Sequence, residues 1–322
     1  MEYTRLGSSD LIVSRIALGC MGFADRAHGR NPWALSQDGA DPIFRRAIDL
    51  GITLWDTANV YGNGSSEEIV GQAVRRYTRR DDVQIATKVG LPMHDGPTGS
   101  GLSRKAIIEQ VDASLKRLGT DYIDLYQIHR FDPHTPVEET MQALHDIVVA
   151  GKVRYLGASS MAAWRFSKMQ YVAERHGWTK FISMQDQYSL VQREEEREMF
   201  GLLADQNVSS LAWCPLAKGR LARPYGTQTP RSTADPTGQR FFDGSDRNII
   251  DAVRNLADTR RNTMAQVALA WVMSNPVVAA PIIGATNPNH LDDANTALTL
   301  ELRDHEHKAL SAQYTPRQPT GY

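Results

Sequence analysis

Three ionisable residues follow or end separate apolar runs of this sequence: Asp56, Lys88 and His129. Each run has the pattern of a buried β-strand, and in a barrel of parallel strands the carboxyl ends all meet at one mouth. A carboxylate, an ammonium and an imidazole that converge there could hold and transfer protons. Any one of them alone is more simply explained as a cap or an internal ion pair. Their convergence indicates a functional site, because burying such groups unpaired is costly.

Eight apolar runs alternate with stretches of helical period along most of the chain, which indicates repeated β-α units. The runs are residues 15–18, 52–55, 83–87, 123–128, 153–157, 181–184, 209–213 and 279–283. The residues at the strand ends are, in order, Gly19, Asp56, Lys88, His129, Ser159, Gln185, Trp213 and Gly284. No G-x-G-x-x-G fingerprint follows the first run, so a closed α/β barrel of the (β/α)₈ TIM type is favoured over a doubly wound sheet.

Other segments refine this architecture into a single barrel domain spanning residues 1–322. Residues 2–14 predict a β-hairpin that could cover the bottom of the barrel. A long loop rich in Gly, Pro, Thr and Arg, residues 216–246, separates the seventh and eighth predicted barrel strands. Such a segment is usually functional. Asp41-Pro42 and Ser103 predict helix starts, whereas Gly51 and Gly119 predict helix ends.

The composition of the 322 residues is that of an ordinary globular protein, with 41% hydrophobic residues and a net charge of -1. This charge does not favour a nucleic acid or an anionic membrane as partner. Two cysteines cannot form a disulfide framework, and zinc-ligand spacings are absent from the sequence. We see no secretory leader and no apolar run of about 18 residues. A soluble, cytoplasmic protein without a structural metal is expected.

Tyr61 lies in the segment DTANVYGNGSSEEIVG, five residues beyond Asp56. Together with ATKVG, DLYQIHRFD and YLGASS, this segment resembles the aldo-keto reductase family, most closely its bacterial YajO-type members. SMQDQYSL, WCPLAKGRL and AQVALAWVMSNP extend the resemblance over nearly the whole chain. The resemblance implies an NAD(P)H-dependent oxidoreductase that reduces an aldehyde or ketone, with NADPH as the expected cofactor and NADH possible. It leaves the oligomeric state open.

The resemblance places the family's catalytic residues on Asp56, Tyr61, Lys88 and His129. Tyr61 would give a proton to the carbonyl oxygen, but a phenol with a pKa near 10 is a poor acid at neutral pH unless its anion is stabilised. Lys88 as an ammonium would supply this stabilisation, and Asp56 would keep the ammonium charged and in place. His129 would orient the substrate carbonyl through a hydrogen bond.

The resemblance also implies a cofactor site. Ser159 and Gln185 would bind the nicotinamide carboxamide, and Trp213 would stack on the ring. Ser160 stands where the family often has Asn, so its contact is expected to be weaker. The other residues assigned to the cofactor are Gly19, Met21, Asp56, Cys214, Pro215, Leu216, Lys218, Gly219, Arg220, Ile283, Gly284, Thr286, Asn287, His290, Asp293 and Ala294.

The stretch from residue 284 to 295 contains no Lys or Arg. Many NADPH-selective relatives have a cation there against the 2′-phosphate. Here Thr286, Asn287, helix backbone donors and a protonated His290 would have to hold it, aided by Lys218 or Arg220. Only a small preference for NADPH over NADH is therefore expected.

Position alone suggests a partly apolar substrate wall. Its candidate residues are Met21, Phe23, Trp33, Arg130, Phe131 and Phe242. Two alternatives share the fold: a cofactor-holding regulatory subunit, as in the channel-associated members of the family, and a reductase that converts sugar phosphates. A hydrolase would need another acid beside His129, and Asp132 is the only nearby candidate.

Overall fold

Eight parallel strands close into a barrel in the computed structural model, which describes residues 1–25, 33–229 and 246–319. A two-stranded antiparallel hairpin precedes the barrel. The strands are β1 (Tyr3–Arg5), β2 (Ile12–Ser14), β3 (Ala17–Gly19), β4 (Leu54–Asp56), β5 (Gln84–Val89), β6 (Ile123–Ile128), β7 (Val153–Ser159), β8 (Phe181–Gln187), β9 (Ser209–Trp213) and β10 (Val278–Gly284). The last strand pairs with β3, with Gly284 opposite Gly19, and this pairing closes the barrel. The predicted fold class is confirmed.

Three strands extend two or three residues beyond the ends of the apolar runs that predicted them. β5 continues through Lys88 to Val89, β7 through Ser159, and β8 through Gln185 to Gln187. Polar side chains interrupt the apolar pattern there, but the parallel ladder of backbone hydrogen bonds continues beneath them. Several site residues therefore lie within strands, where the backbone is held more rigidly than in a loop.

The hairpin covers the amino-terminal end of the barrel, as the sequence suggested. Its apolar residues Leu6, Leu11 and Val13 join the cluster that fills the barrel interior. Gly7 donates its backbone N–H to the Ser209 hydroxyl oxygen at 2.8 Å. With a φ of +59° and the carbonyl oxygen of Ile182 only 2.2 Å from where a Cβ would stand, Gly7 could not be replaced without displacing the turn.

Helices pack around the barrel in the order expected of β-α units. They are α1 (Gln37–Asp49), α2 (Ser65–Tyr77), α3 (Arg104–Leu118), α4 (Val137–Val149), α5 (Ala163–His176), α6 (Met199–Asp205), α7 (Asp246–Arg260), α8 (Met264–Met273), α9 (Asn289–Ala297) and α10 (Asp304–Ser311). The hydroxyl of Ser103 accepts from the Ala106 N–H at 3.3 Å, and Gly119 ends α3 at a φ of +65°. These two predicted boundaries are confirmed.

The predicted start of α1 at Asp41-Pro42 is wrong, because the helix begins four residues earlier at Gln37. The Asp41 carboxylate caps no helix start; it accepts hydrogen bonds from Gln37 and from the Tyr77 hydroxyl on α2. Pro42 lies inside the helix and removes one backbone donor. Two residues after α1, Gly51 adopts a φ of +74°, which agrees with its predicted role as a helix end.

Part of the long segment after β9 is ordered into a 3-10 helix, Ala217–Ala222, and α7 begins at Asp246. Residues 230–245 lie outside the described part of the chain. Across the three described ranges, no helix is long and apolar enough to cross a membrane, and no group of three His, Cys, Asp or Glu residues could hold a metal ion.

Candidate active site

The Lys88 ammonium is the centre of the site at the carboxyl end of the barrel. Its Nζ lies 2.7 Å from Oδ2 of Asp56, 2.8 Å from the carbonyl oxygen of Thr57 and 3.4 Å from the Tyr61 hydroxyl. An ammonium has three N–H donors, and these three oxygens can accept all of them. Lys88 is fully buried and Asp56 nearly so. The structure thus brings together three of the four residues that were carried over from the family.

The second oxygen of Asp56 is held by two glutamine side chains. Gln185 donates to Oδ1 at 2.8 Å and Gln127 at 3.1 Å. Gln127 was not singled out from the sequence. It lies two residues before His129, so the two-residue period of a strand places it on the same barrel face, and that period was the signal that could have found it.

The turn that carries Tyr61 is a short 3-10 segment, Tyr61–Gly64, ending in Gly64 at a φ of +97°. A Cβ on Gly64 would lie 2.6 Å from Cδ of Arg117, which packs directly behind the turn. Arg117 donates to the buried Glu67 carboxylate at 2.6 Å, and Glu67 also accepts from the Thr87 hydroxyl on β5. This ion pair supports the Tyr61 turn from the side away from the mouth.

The electrostatics of the site keep Tyr61 protonated and Lys88 charged. Burial raises the pKa of Tyr61 above its ordinary value, and the nearby Lys88 ammonium opposes this without cancelling it. The expected stabilisation of the phenolate by Lys88 is thus present, but the net pKa is not lowered. For Lys88, burial alone would lower the pKa, but the Asp56 carboxylate and Tyr61 outweigh it and the pKa is raised.

His129 stands at the same mouth as a neutral imidazole. Its ring meets the Tyr61 ring edge to face, with 5.8 Å between the ring centroids. Burial holds the pKa of His129 well below its ordinary value, and the positive charges of Lys88 and Arg130 lower it further. Its Nδ1 is buried and has no hydrogen-bond partner among the described residues. A polar substrate atom could meet this unsatisfied demand.

The residues expected around the nicotinamide lie on three neighbouring strands. Trp213 at the end of β9 donates its indole N–H to the Ser160 hydroxyl at 3.0 Å, and the half-exposed ring is thereby fixed in orientation. The Ser159 hydroxyl donates to the carbonyl oxygen of Gln185 at 2.9 Å. Gln185 donates its amide N–H groups to Asp56 and, at 3.2 Å, to Oε1 of Gln127, which leaves its own Oε1 to accept. These residues fit a nicotinamide: an oriented aromatic face beside polar groups.

The other residues assigned to the cofactor also lie at this end of the barrel. Gly19 ends β3 and Met21 follows it, and Cys214 to Leu216 follow β9. Lys218, Gly219 and Arg220 lie in the 3-10 helix, where Lys218 and Gly219 have positive φ values of 55° and 91°. Ile283 and Gly284 end β10, and Thr286, Asn287, His290, Asp293 and Ala294 lie in the following loop and α9.

Two residues expected at the adenosine end, His290 and Asp293, interact with neighbouring residues of the protein. Burial, followed by the charge of Arg223, lowers the pKa of His290 and so disfavours the protonated ring that was expected to help hold a phosphate. Arg223 was not singled out from the sequence; it follows the 3-10 helix and donates to the carbonyl oxygen of Gly219 at 3.3 Å. The Asp293 carboxylate accepts hydrogen bonds from the Thr263 hydroxyl at 3.2 Å and from the Gln266 side-chain amide at 2.9 Å. These bonds connect α9 to α8.

The candidate substrate wall is only partly supported by the described residues. Phe23 is fully buried, with its ring 5.1 Å from that of Phe44, so it belongs to the core and its assignment to the wall is wrong. Trp33 is half-buried beside Gly22, and Phe131 packs under the Arg165 guanidinium. Phe242 lies outside the described residues.

Asp132, the acid that a hydrolase would need, is occupied with structural hydrogen bonds. It accepts from the backbone N–H groups of Leu102 and His134 at 2.8 and 2.9 Å, and from the Thr135 hydroxyl at 2.7 Å. The Asp132 carboxylate therefore shapes the loop after His129, and the geometry gives it no role in activating water.

A parallel barrel whose mouth joins a buried Lys–Asp pair, a phenol and a neutral imidazole defines an oxidoreductase of carbonyl groups. Residues 15–314 match the aldo/keto reductase family, and the chain belongs to this family. It is 43% identical to versiconal hemiacetal acetate reductase of Aspergillus parasiticus, over 98% of each chain. It is 41% identical to an aldo-keto reductase of Alternaria alternata, over 99% of this chain and 93% of that protein.

A further relative, from Saccharomyces cerevisiae, is named as a proposed aryl-alcohol dehydrogenase; it is 37% identical over 99% of this chain and 98% of its own length. These relatives are fungal, whereas the motifs suggested bacterial members. Carbonyl reduction is the activity that the family and the named relatives support.

Proposed function

We propose that this chain is an NADPH-dependent reductase of aldehydes or ketones in which Tyr61 is the proton donor. The observation that carries the proposal is the position of the Lys88 ammonium, in contact with both the Asp56 carboxylate and the Tyr61 hydroxyl. NADPH, when bound, supplies the hydride that adds to the carbonyl carbon, and negative charge then develops on the carbonyl oxygen.

Each of the four residues has a separate task. Tyr61, protonated at neutral pH, gives its proton to the developing oxyanion, and Lys88 stabilises the phenolate that remains. Asp56 keeps Lys88 charged, and the two glutamines keep Asp56 in place. The neutral His129 ring donates a hydrogen bond to the carbonyl oxygen and so sets the orientation of the substrate.

Trp213, Ser159, Ser160 and Gln185 are proposed to hold the nicotinamide, and the segment from Cys214 to Arg223 is proposed to run beside the phosphates. NADPH is the preferred cofactor in this proposal, and NADH is a weaker one. The whole chain acts as a single barrel domain on a small molecule. A cytoplasmic location is consistent with two cysteines that are not joined by a disulfide.

Aromatic aldehydes are the substrate class that we propose first, because one relative is named as a proposed aryl-alcohol dehydrogenase and the loop after β6 carries the aromatic residue Phe131. Likeness to YajO-type members, and with it a sugar-phosphate substrate, remains a second prediction. Purified protein should be mixed with NADPH and a panel of aryl aldehydes, ketoses and sugar phosphates while cofactor absorbance is followed. Tight NADPH binding without turnover of any of these compounds would favour the regulatory alternative.

A further inference from the structure

Arg130 directly follows His129 at the end of β6 and turns its guanidinium into the barrel mouth. Its Nη1 donates to the carbonyl oxygen of His129 and lies 3.5 Å from the hydroxyl of Ser159. Its positive charge acts on the Tyr61 hydroxyl and on the His129 ring. Arg130 therefore stands between the proposed proton donor and the residues proposed for the nicotinamide, where a substrate would be bound.

No carboxylate of the described part of the chain balances the charge of Arg130. Its hydrogen bonds go to a backbone carbonyl and a hydroxyl, both neutral, and no carboxylate of the described residues lies within 4.0 Å of it. Most of the other half-buried arginines of the structure are paired, for example Arg80 with Asp124 and Arg117 with Glu67. An unpaired guanidinium that is partly withdrawn from water is costly, which is why such groups often mark binding sites.

The guanidinium is also oriented for recognition. Only Nη1 is used within the protein, so the edge formed by Nε and Nη2 donates to no described residue. That edge has the geometry that binds the two oxygens of a carboxylate side by side. Lys88, another cation at the mouth, is already neutralised by Asp56.

We propose that Arg130 is a specificity-determining residue that binds an anionic oxygen group, in the first instance a carboxylate, on the carbonyl substrate. The protein would thus prefer aldehydes or ketones that carry such a group over their neutral analogues of the same size. This inference deepens the proposed carbonyl reduction and rests on it. The neutral carboxamide of the cofactor could also contact Arg130, but it would leave the charge unbalanced.

The kinetic test compares the ortho, meta and para carboxybenzaldehydes with their methyl esters, which are similar in shape but neutral. The wild type should show a kcat/KM at least about tenfold higher for one of the acids than for its ester, a ratio typical of one charge-assisted contact. Arg130→Met should abolish this ratio chiefly by raising KM for the acid, and Arg130→Lys should keep part of it. Because Arg130 also acts on Tyr61, a modest common loss of kcat is expected for both compounds.

Arg154→Met is the matched control. Arg154 lies near the start of β7, at the end of the barrel opposite Ser159, and half of its side chain is exposed. This control variant should keep the wild-type ratio of kcat/KM for the acid to kcat/KM for the ester. If Arg130→Met lowered kcat/KM equally for the acid and the ester, the inference would be overturned. A wild type that prefers none of the three acids over its ester would overturn it as well.

A binding measurement separates this inference from the proposed function. Titration calorimetry with benzoate and with benzamide, in the presence of NADP⁺, needs no turnover. Benzoate should bind the wild type and Arg154→Met at least about tenfold more tightly than benzamide, and Arg130→Met should bind the two equally. If the aldehydes are not reduced but benzoate shows this dependence, the catalytic proposal fails and the anion site stands. If benzoate and benzamide bind the wild type alike, the anion site fails.

Discussion

The Lys88 ammonium and the Asp56 carboxylate form an ion pair at 2.7 Å with 0% and 4% of their side chains exposed. Two charges withdrawn from water to this degree depend on each other, and removing one leaves the other uncompensated. The pair therefore serves both the fold and the chemistry, and variants at these positions must be judged by more than activity alone.

Replacing Lys88 with Met should lower kcat at least about a hundredfold, because Tyr61 loses the cation that stabilises its anion. The pH profile gives a second readout. Lys88 lowers the pKa of Tyr61, so its removal raises that pKa further. Reduction needs the neutral phenol, so the loss of rate at alkaline pH should move to higher pH.

The double variant Lys88→Met/Asp56→Asn should have a higher melting temperature than Lys88→Met but should not regain activity. If Lys88→Met kept the wild-type kcat and the wild-type pH profile, Lys88 would have only a structural role.

Tyr61→Phe should lower kcat by at least about a hundredfold while the dissociation constant for NADPH, measured by fluorescence titration, changes little. Tyr126→Phe is a matched control, because Tyr126 is also a buried phenol, packs on β6 in the large core cluster, and has no hydrogen-bond partner for its hydroxyl among the described residues. The control should keep full activity. Near-normal turnover by Tyr61→Phe would mean that another group protonates the carbonyl oxygen.

The pH dependence of kcat/KM should lack the titration of an ordinary histidine. Burial holds the pKa of His129 well below 6.5, so the ring stays neutral when the pH falls through that value. With a neutral aldehyde, kcat/KM is expected to be flat from about pH 6 to about pH 8. A clear inflection near 6.5 that disappears in His129→Gln would show that the imidazole is protonated in the working enzyme.

NADPH should be preferred over NADH by less than about two orders of magnitude, or roughly 2.7 kcal/mol at 1.36 kcal/mol per decade. Arg223, whose charge acts on the His290 ring, is the cation that we expect to approach the 2′-phosphate. Arg223→Met should lower kcat/KM for NADPH about tenfold and leave the value for NADH unchanged, so that NADH is the internal control. A wild-type preference above about a thousandfold, unaltered in Arg223→Met, would contradict this assignment.

The barrel could be predicted from the sequence because eight apolar runs recur with helices between them. The site could be predicted where a polar residue ends such a run, as Asp56 does. Gln127 could have been found from the two-residue period that places it on the same barrel face as His129, although its partner Asp56 is 71 residues away. Arg117 escaped notice because its role depends on Glu67, 50 residues away, and no local pattern reports that contact. Phe23 shows the opposite error: it follows a strand as a pocket residue would, but it packs into an aromatic cluster that forms only in three dimensions.

The contact between Gly7 and Ser209 has a consequence for how the barrel forms. These residues are 202 positions apart, so the hairpin can seal the barrel only after most of the β-α units have assembled. Closing so long a loop costs entropy that only the nearly complete barrel can offset. Contacts that form this late stabilise the native state without lowering the barrier to reach it. Loosening the hairpin should therefore speed unfolding and leave the rate of folding almost unchanged.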